Sequence, residues 1–230
     1  MTDAAPNQAS PDGETGAISV CLPDLEQSRA AEVLAYAVES YPRLAVACSF
    51  QKEESVLFHM LAELREGREG VRAFAIDTGV LFPETLATWK RFEERFELPI
   101  DVFDASAPGQ PWTVENCCGA AKVAALEQAL TGVDAWITGI RREQAPTRAQ
   151  SPKIEFDVRR GIVKFNPLAD WSEKDVWRYI VEHDLPYNPL HDEGYASIGC
   201  APCTQPGSGR DGRWAGTDKT ECGIHVEQIQ

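Results

Sequence analysis

No stretch of this 230-residue chain is apolar for long enough to cross a bilayer, which argues against a membrane-spanning helix. The first twenty residues, MTDAAPNQASPDGETGAISV, lack both a basic start and an apolar core, so no secretory leader is expected and the cytoplasm is the expected location. Basic side chains are in short supply. Only 22 Lys and Arg stand against 36 Asp and Glu, and the net charge of −14 disfavours nucleic acid or an anionic membrane as partner. There is no internal repeat, and the Gly-x-x-x-x-Gly-Lys phosphate loop is missing.

What is present fits one globular domain. Apolar residues make up 43% and charged residues 25%, enough for a single core behind a solvated surface. Residues 1–22, rich in Ala, Pro, Asp and Gly, read as a disordered tail. Apolar positions 33, 34, 37, 38 and 41 predict a helix from Pro23 to about Tyr41, with Asp24 as its N-cap. Leu44–Cys48 reads as a buried strand, 49–54 as a polar loop, and Ser55–Leu64 as a helix that stops near Gly67. The pattern recurs with strands at Val71–Ile76, Ile100–Phe103 and Ala135–Thr138. A helix opens at Pro83 with Leu86, Trp89, Phe92 and Phe96 inward, and another runs from Cys118 to Leu130. A hairpin is expected over Ile154–Phe165, then a helix opened by Ser172 with Trp177, Ile180 and Val181 inward. Alternating strands and helices imply an α/β fold, a Rossmann-like parallel sheet flanked by helices, with ligands beyond the carboxyl ends of the strands. After Leu185 the chain is loop-like and too poor in apolar residues to pack alone.

Seven cysteines, at 21, 48, 117, 118, 200, 203 and 222, point in such a chain to metal binding or redox chemistry rather than disulfides. Cys117-Cys118 and Cys200-x-x-Cys203 supply four thiolates, enough for one metal centre. On spacing alone a structural zinc site is the favourite, and iron–sulfur needs further support. Cys222 stands apart, in Lys219-Thr220-Glu221-Cys222-Gly223-Ile224-His225, where Lys219 and His225 could lower its pKa. Cys48 reads as core packing and His59 as a satisfied core histidine; Arg141 and Arg142 could assist phosphate binding, with one of them equally able to form an internal ion pair.

Several segments, taken in order, resemble one family. They are Ala47-Cys48-Ser49-Phe50-Gln51-Lys52-Glu53, Ile76-Asp77-Thr78-Gly79, Cys117-Cys118-Gly119-x-x-Lys122, and Thr138-Gly139-Ile140-Arg141-Arg142-Glu143-Gln144 with Arg148. Lys164-Phe165-Asn166-Pro167-Leu168, Asp192-Glu193-Gly194-Tyr195, Ile198-Gly199-Cys200-Ala201-Pro202-Cys203-Thr204 and Glu221-Cys222-Gly223-Ile224-His225 complete the set. From Leu44 to Val226 the chain is similar to the assimilatory adenylyl-sulfate (APS) reductases of the wider APS/PAPS reductase family. The resemblance implies an adenine-nucleotide α-hydrolase-like fold and a [4Fe-4S] cluster held by Cys117, Cys118, Cys200 and Cys203. It also implies Cys222 as the nucleophile on a mobile C-terminal tail. The expected reaction reduces adenosine 5′-phosphosulfate to sulfite and AMP through an S-sulfocysteine, with thioredoxin or a similar dithiol as donor.

Ser49 and Gly139 are expected at the nucleotide, with Thr78 a weaker candidate, and Lys122, Arg148, Arg210 and Arg213 at the phosphosulfate. The plan is then a tail over 1–22, a nucleotide- and cluster-binding domain over 23–203, and a flexible segment over 204–230. Relatives often carry several tryptophans after the Arg213 position, whereas this chain has only Trp214 and a shorter linker. A PAPS or dual-specificity reductase is the nearest alternative. A zinc-containing PP-loop ATP pyrophosphatase is more distant, because Ser49-Phe50-Gln51-Lys52-Glu53-Glu54 departs from Ser-Gly-Gly-x-Asp-Ser. A third alternative is a non-catalytic iron–sulfur module with a dispensable Cys222. A homo-oligomer is left open.

Overall fold

The computed structural model describes residues 22–64, 70–106, 119–219 and 221–222. Cys21, Cys117, Cys118, His225 and the helix end expected near Gly67 lie outside them.

Six strands form one sheet in the order β3-β2-β1-β4-β6-β5: β1 Leu44–Cys48, β2 Val71–Asp77, β3 Ile100–Asp104, β4 Ala135–Ile137, β5 Ile154–Asp157 and β6 Ile162–Phe165. All neighbouring pairs are parallel except β5 with β6, the expected hairpin, which puts an antiparallel strand at one edge. The strand order reverses between β1 and β4. In a parallel sheet that reversal leaves a crevice at the carboxyl ends of the two strands, since the chain departs from them in opposite directions.

Five helices cover the sheet: α1 Ala30–Ser40, α2 Lys52–Leu64, α3 Pro83–Phe96, α4 Ala120–Ala129 and α5 Glu173–Glu182. Period-two alternation sends Leu44, Val46 and Cys48 to one face of β1 and Ala45 to the other. The first face packs Val33 and Leu34 of α1, Val56, Leu57 and Phe58 of α2, Phe92 and Phe96 of α3, and Val176 and Ile180 of α5. The second packs Leu126 and Ala129 of α4 with Phe74 and Trp136. Four helices therefore share one side and one helix the other. No helix among the described residues is long and apolar enough to cross a membrane.

Several expectations shift. Helix α1 begins at Ala30, because the Glu32 carboxylate reaches back to accept from the Arg29 N–H at 2.7 Å, while Asp24 caps only a turn at Glu26. Helix α2 takes in Lys52, Glu53 and Glu54, read from sequence as loop, and all three are buried. Leu86 is 42% exposed and Val181 78% exposed, so neither belongs to an inward face. The start of α5 is as read: Ser172 Oγ accepts from Asp175 N at 3.1 Å, and Asp175 Oδ2 accepts from Ser172 N at 3.0 Å.

Candidate active site

The crevice between β1 and β4 is a real cavity of about 130 Å³. Its floor is built by the corner that follows β1. Phe50 there adopts φ 59°, a left-handed conformation rare for a large side chain. Packing holds it: the ring stacks on Trp89 at 5.1 Å and meets Phe92 edge-on at 6.0 Å. The sharp turn brings Ser49 Oγ and Gln51 N to donate to one oxygen of Glu54, at 2.9 and 3.0 Å.

Glu54 faces Gly139, which follows β4 in the chain. A Cβ at Gly139 would lie 2.6 Å from Glu54 Oε1 and 2.9 Å from Glu53 Cβ, so no larger residue fits without displacing them. Beside it, Arg141 Nε donates to Glu53 at 2.8 Å, both side chains being buried, which makes Arg141 the internal ion pair. The two adjacent carboxyls diverge. Burial opposes ionisation of Glu53, yet Lys52 and Arg141 hold it below its ordinary value. Burial and the Glu53 charge push Glu54 up to about 8, against the bonds from Gln51 and Ser49. The corner thus presents toward the cavity a carboxyl that holds its proton well above the usual carboxylate range.

The opposite wall comes from the C-terminal stretch, which is docked over its described residues. Leu81 bridges Cys200, Ala201 N donates to Val80 O at 2.8 Å, and Ile198 N donates to the Gln51 side chain at 2.8 Å. Cys200 and Cys203 are buried in one cluster with Trp214 and Cys222. Cys200 Sγ lies 3.2 Å from Thr78 Oγ1, so Thr78 sits at the cysteines rather than at the Ser49 corner. Trp214, with φ 53°, is the anchor: 2% exposed, its ring is faced by Arg213 at 4.6 Å, Arg210 at 5.3 Å and Lys219 at 5.5 Å. A single tryptophan, ringed by cations, seats this short tail.

Lys122, Arg148, Arg210 and Arg213 all line the cavity, with Ser49, Gly139, Cys200 and Cys222. Arg148 is engaged bidentately by Glu221, Nε to Oε2 at 2.9 Å and Nη2 to Oε1 at 2.8 Å, and Arg210 Nη2 joins Oε1 at 2.6 Å. Burial opposes ionisation of Glu221, but Arg148 and then Arg210 hold it below the usual carboxylate range. Burial and the nearby Arg148 charge pull Arg210 down to about 10. Arg213 donates to Ile198 O at 3.1 Å and lies flat on Gly199, where any Cβ would overlap its guanidinium. The buried Nε groups of Arg210 and Arg213 have no hydrogen-bond partner among the described residues. Two guanidinium donors left this way invite an anion.

The structure therefore gathers Cys222, Cys200, Ser49, Gly139, Lys122, Arg148, Arg210 and Arg213 at one crevice. Lys219 stands over Trp214, and Cys203 is buried behind the lining; Cys117, Cys118 and His225 are among the residues not described. Of the residues given no role from sequence, Cys48 is buried, His59 bonds Tyr179 Oη at 2.9 Å, and His191 bonds Tyr195 O at 2.7 Å. Two functional neighbours had gone unassigned, Glu54 and Glu221. In the sequence Glu221 stood out only as the neighbour of Cys222 in Glu221-Cys222-Gly223-Ile224-His225.

The structure thus presents an α/β sheet whose switch-point crevice is lined by cations and a buried thiol, and comparison with known proteins gives its family. The phosphoadenosine phosphosulfate reductase domain matches residues 43–206, and the chain belongs to that family of oxidoreductases. A phosphoadenosine 5′-phosphosulfate reductase of Gloeobacter violaceus is 45% identical, covering 84% of this chain and 87% of the relative. An adenosine 5′-phosphosulfate reductase of Geobacillus kaustophilus is 41% identical, covering 88% and 92%. Among solved structures, the PAPS reductase of Candida auris superimposes with a TM-score of 0.65 at 28% identity, covering 81% of this chain and all of that one. The FMN adenylyltransferase of Candida glabrata, at TM-score 0.59 and 17% identity over 78% and 64%, shares the fold.

Proposed function

We propose that this chain reduces adenosine 5′-phosphosulfate to sulfite and AMP, with Cys222 as nucleophile and reduced thioredoxin or a similar dithiol as electron donor. One observation carries the reading: Cys222 is buried in the switch-point crevice that Ser49, Gly139 and four cationic side chains also line. A thiol so placed suits attack on an anionic sulfonyl group attached to a nucleotide.

The Cys222 thiolate attacks the sulfonyl sulfur. A sulfur–sulfur bond forms, and the sulfur–oxygen bond to phosphate breaks, its electron pair leaving with AMP. Negative charge gathers on the departing oxygen, where Arg148, Arg210, Arg213 and Lys122 stabilise it. Cys222 now carries an S-sulfocysteine. A thiolate of the donor attacks the Cys222 sulfur, and sulfite leaves with the bonding pair. The second donor thiolate resolves the mixed disulfide, regenerating the Cys222 thiolate and oxidising the dithiol by two electrons. At 5% exposure Cys222 is beyond reach of a protein dithiol, so the segment that carries it must swing out between the halves of the reaction.

Cys117, Cys118, Cys200 and Cys203 would hold a [4Fe-4S] cluster. Burial of Cys200 and Cys203 together beside Trp214 and Cys222, in an all-sulfur donor set, fits iron–sulfur ligation. Bound there, the cluster would supply the fixed positive charge of its core and a link between the Cys117-Cys118 and Cys200–Cys203 segments of the domain. The same cysteine set favours APS as substrate. The name of the Gloeobacter relative favours a second reading, PAPS or both nucleotides, which turnover on each would separate. Thiol chemistry of this kind belongs in a reducing compartment, the cytoplasm.

Protein mixed with APS and no dithiol should release one equivalent of AMP and carry one sulfonate on Cys222 by peptide mass spectrometry. Cys222→Ser should do neither, yet keep the iron, sulfide and brown colour of the parent. Turnover with no sulfonated Cys222 overturns the reading, and a colourless zinc protein overturns the cluster.

A further inference from the structure

We infer that Glu221 is a positioning residue: its carboxylate clasps Arg148 and Arg210 and so docks the tail with Cys222 in the crevice. The inference rests on the reading of Cys222 above and extends it. Arg148 belongs to the turn Pro146–Arg148 of the main domain, 73 positions before Glu221, while Arg210 belongs to the tail itself. One carboxylate thus joins the two parts. Its Oε1 accepts from Arg148, from Arg210 and, at 2.9 Å, from the backbone N–H of Cys222. The last bond fixes the peptide that carries the nucleophile, so the clasp orients the thiol as well as holding the tail. Both arginines and Glu221 are about 90% buried, where a bidentate guanidinium–carboxylate pair is little screened.

A carboxylate on the anion-binding arginines might be thought a mere stand-in for substrate. The charges and donors speak against that. Lys122, Arg148, Arg210 and Arg213 bring four formal positive charges to the crevice; Glu221 cancels one, and Glu53, which also lines it, is matched by Arg141. Among the described residues, the Nε donors of Arg210 and Arg213 remain without partners beside it. Phosphosulfate can be bound with the clasp closed, which the attack requires, since opening the clasp withdraws Cys222.

The test uses the full-length protein, with Glu221→Gln, Glu221→Asp and Arg148→Gln. Alkylation of Cys222 by iodoacetamide without nucleotide, followed by peptide mass spectrometry across a pH series, reads docking alone. The high-pH plateau separates access from thiol ionisation. Glu221→Gln and Arg148→Gln should each raise that plateau at least about tenfold, with Glu221→Asp in between. The melting transition guards against global unfolding, and because two different residues break the same contact, one that fails to fold leaves the other to decide. For Glu221→Gln, single-turnover sulfonation should slow about tenfold, with KM for APS changed less than threefold. A plateau unchanged in both variants overturns the clasp. A fall in KM with sulfonation undiminished would make Glu221 a competitor of substrate instead. Should Cys222→Ser retain turnover, the catalytic reading fails while the alkylation result still decides whether Glu221 docks the tail.

Discussion

The two walls of the crevice are held by different physics. The Ser49–Glu54 corner is set by the core: Phe50 is locked by Trp89 and Phe92, and Glu54 is packed against Gly139. The tail is held by isolated β-bridges, one tryptophan among three cations, and one acid between two arginines. A corner built this way is preorganised and cannot open without disturbing the domain. A tail built this way can leave and return as a unit while the domain stays folded. On the function proposed above, nucleotide recognition is fixed and delivery of the thiol is conditional.

The largest effect should come from removing the seat of the tail. Trp214→Ala deletes a buried ring, a loss of about 3–5 kcal/mol in a core. Most of it should fall on docking: limited proteolysis should cut within residues 204–222, while the main melting transition moves little. A large fall in melting temperature with an intact tail would mean that the two walls form one cooperative unit. Next, Gly139→Ala strains the corner, at a cost of about 1–3 kcal/mol for overpacking. The nucleotide KM should rise about tenfold with Cys222 alkylation unchanged; a change in alkylation would join the two walls.

The smallest effect is a pH dependence. Glu54 is raised to about 8 when folded, against an ordinary 4.5. Its contribution to stability is full below the unfolded value and is lost as pH climbs from there through about 8. Glu54→Gln keeps the acceptor for Ser49 and Gln51. It should therefore stabilise the protein at pH 9 by about 1–3 kcal/mol in urea unfolding, and change little at pH 4.5. Equal stability at both pH values would show that the corner tolerates an ionised Glu54.

Much of the fold could be read from the chain because β1, β2 and β4 are short apolar runs separated by amphipathic helices, and only a parallel sheet accommodates that alternation. The errors have physical causes. Periodicity marks the apolar side of a helix but not how far the neighbouring surface extends, so Leu86 and Val181 were turned inward when both are exposed. Residue type suggested Asp24 as a cap, while the cap that formed uses Glu32 reaching back to Arg29. Lys52, Glu53 and Glu54 read as solvated because burying them depends on partners far along the chain, Ala196 and Arg141 among them. For the candidate site, Ser49, Gly139, Arg148 and Cys222 stood in recognisable segments, and the structure brings them to one crevice with Arg210 and Arg213. The clasp by Glu221 was not, since a bond across 73 residues leaves no local pattern.

Trp214 sits at φ 53°, where an L-residue pays about 1–2 kcal/mol in backbone energy. Burial of the indole repays that cost only when the ring is fully home. A half-seated tail would keep the strain and lose the repayment, so intermediate positions are disfavoured. The left-handed turn at this one residue thus ties the backbone conformation of the tail to the seating of its indole.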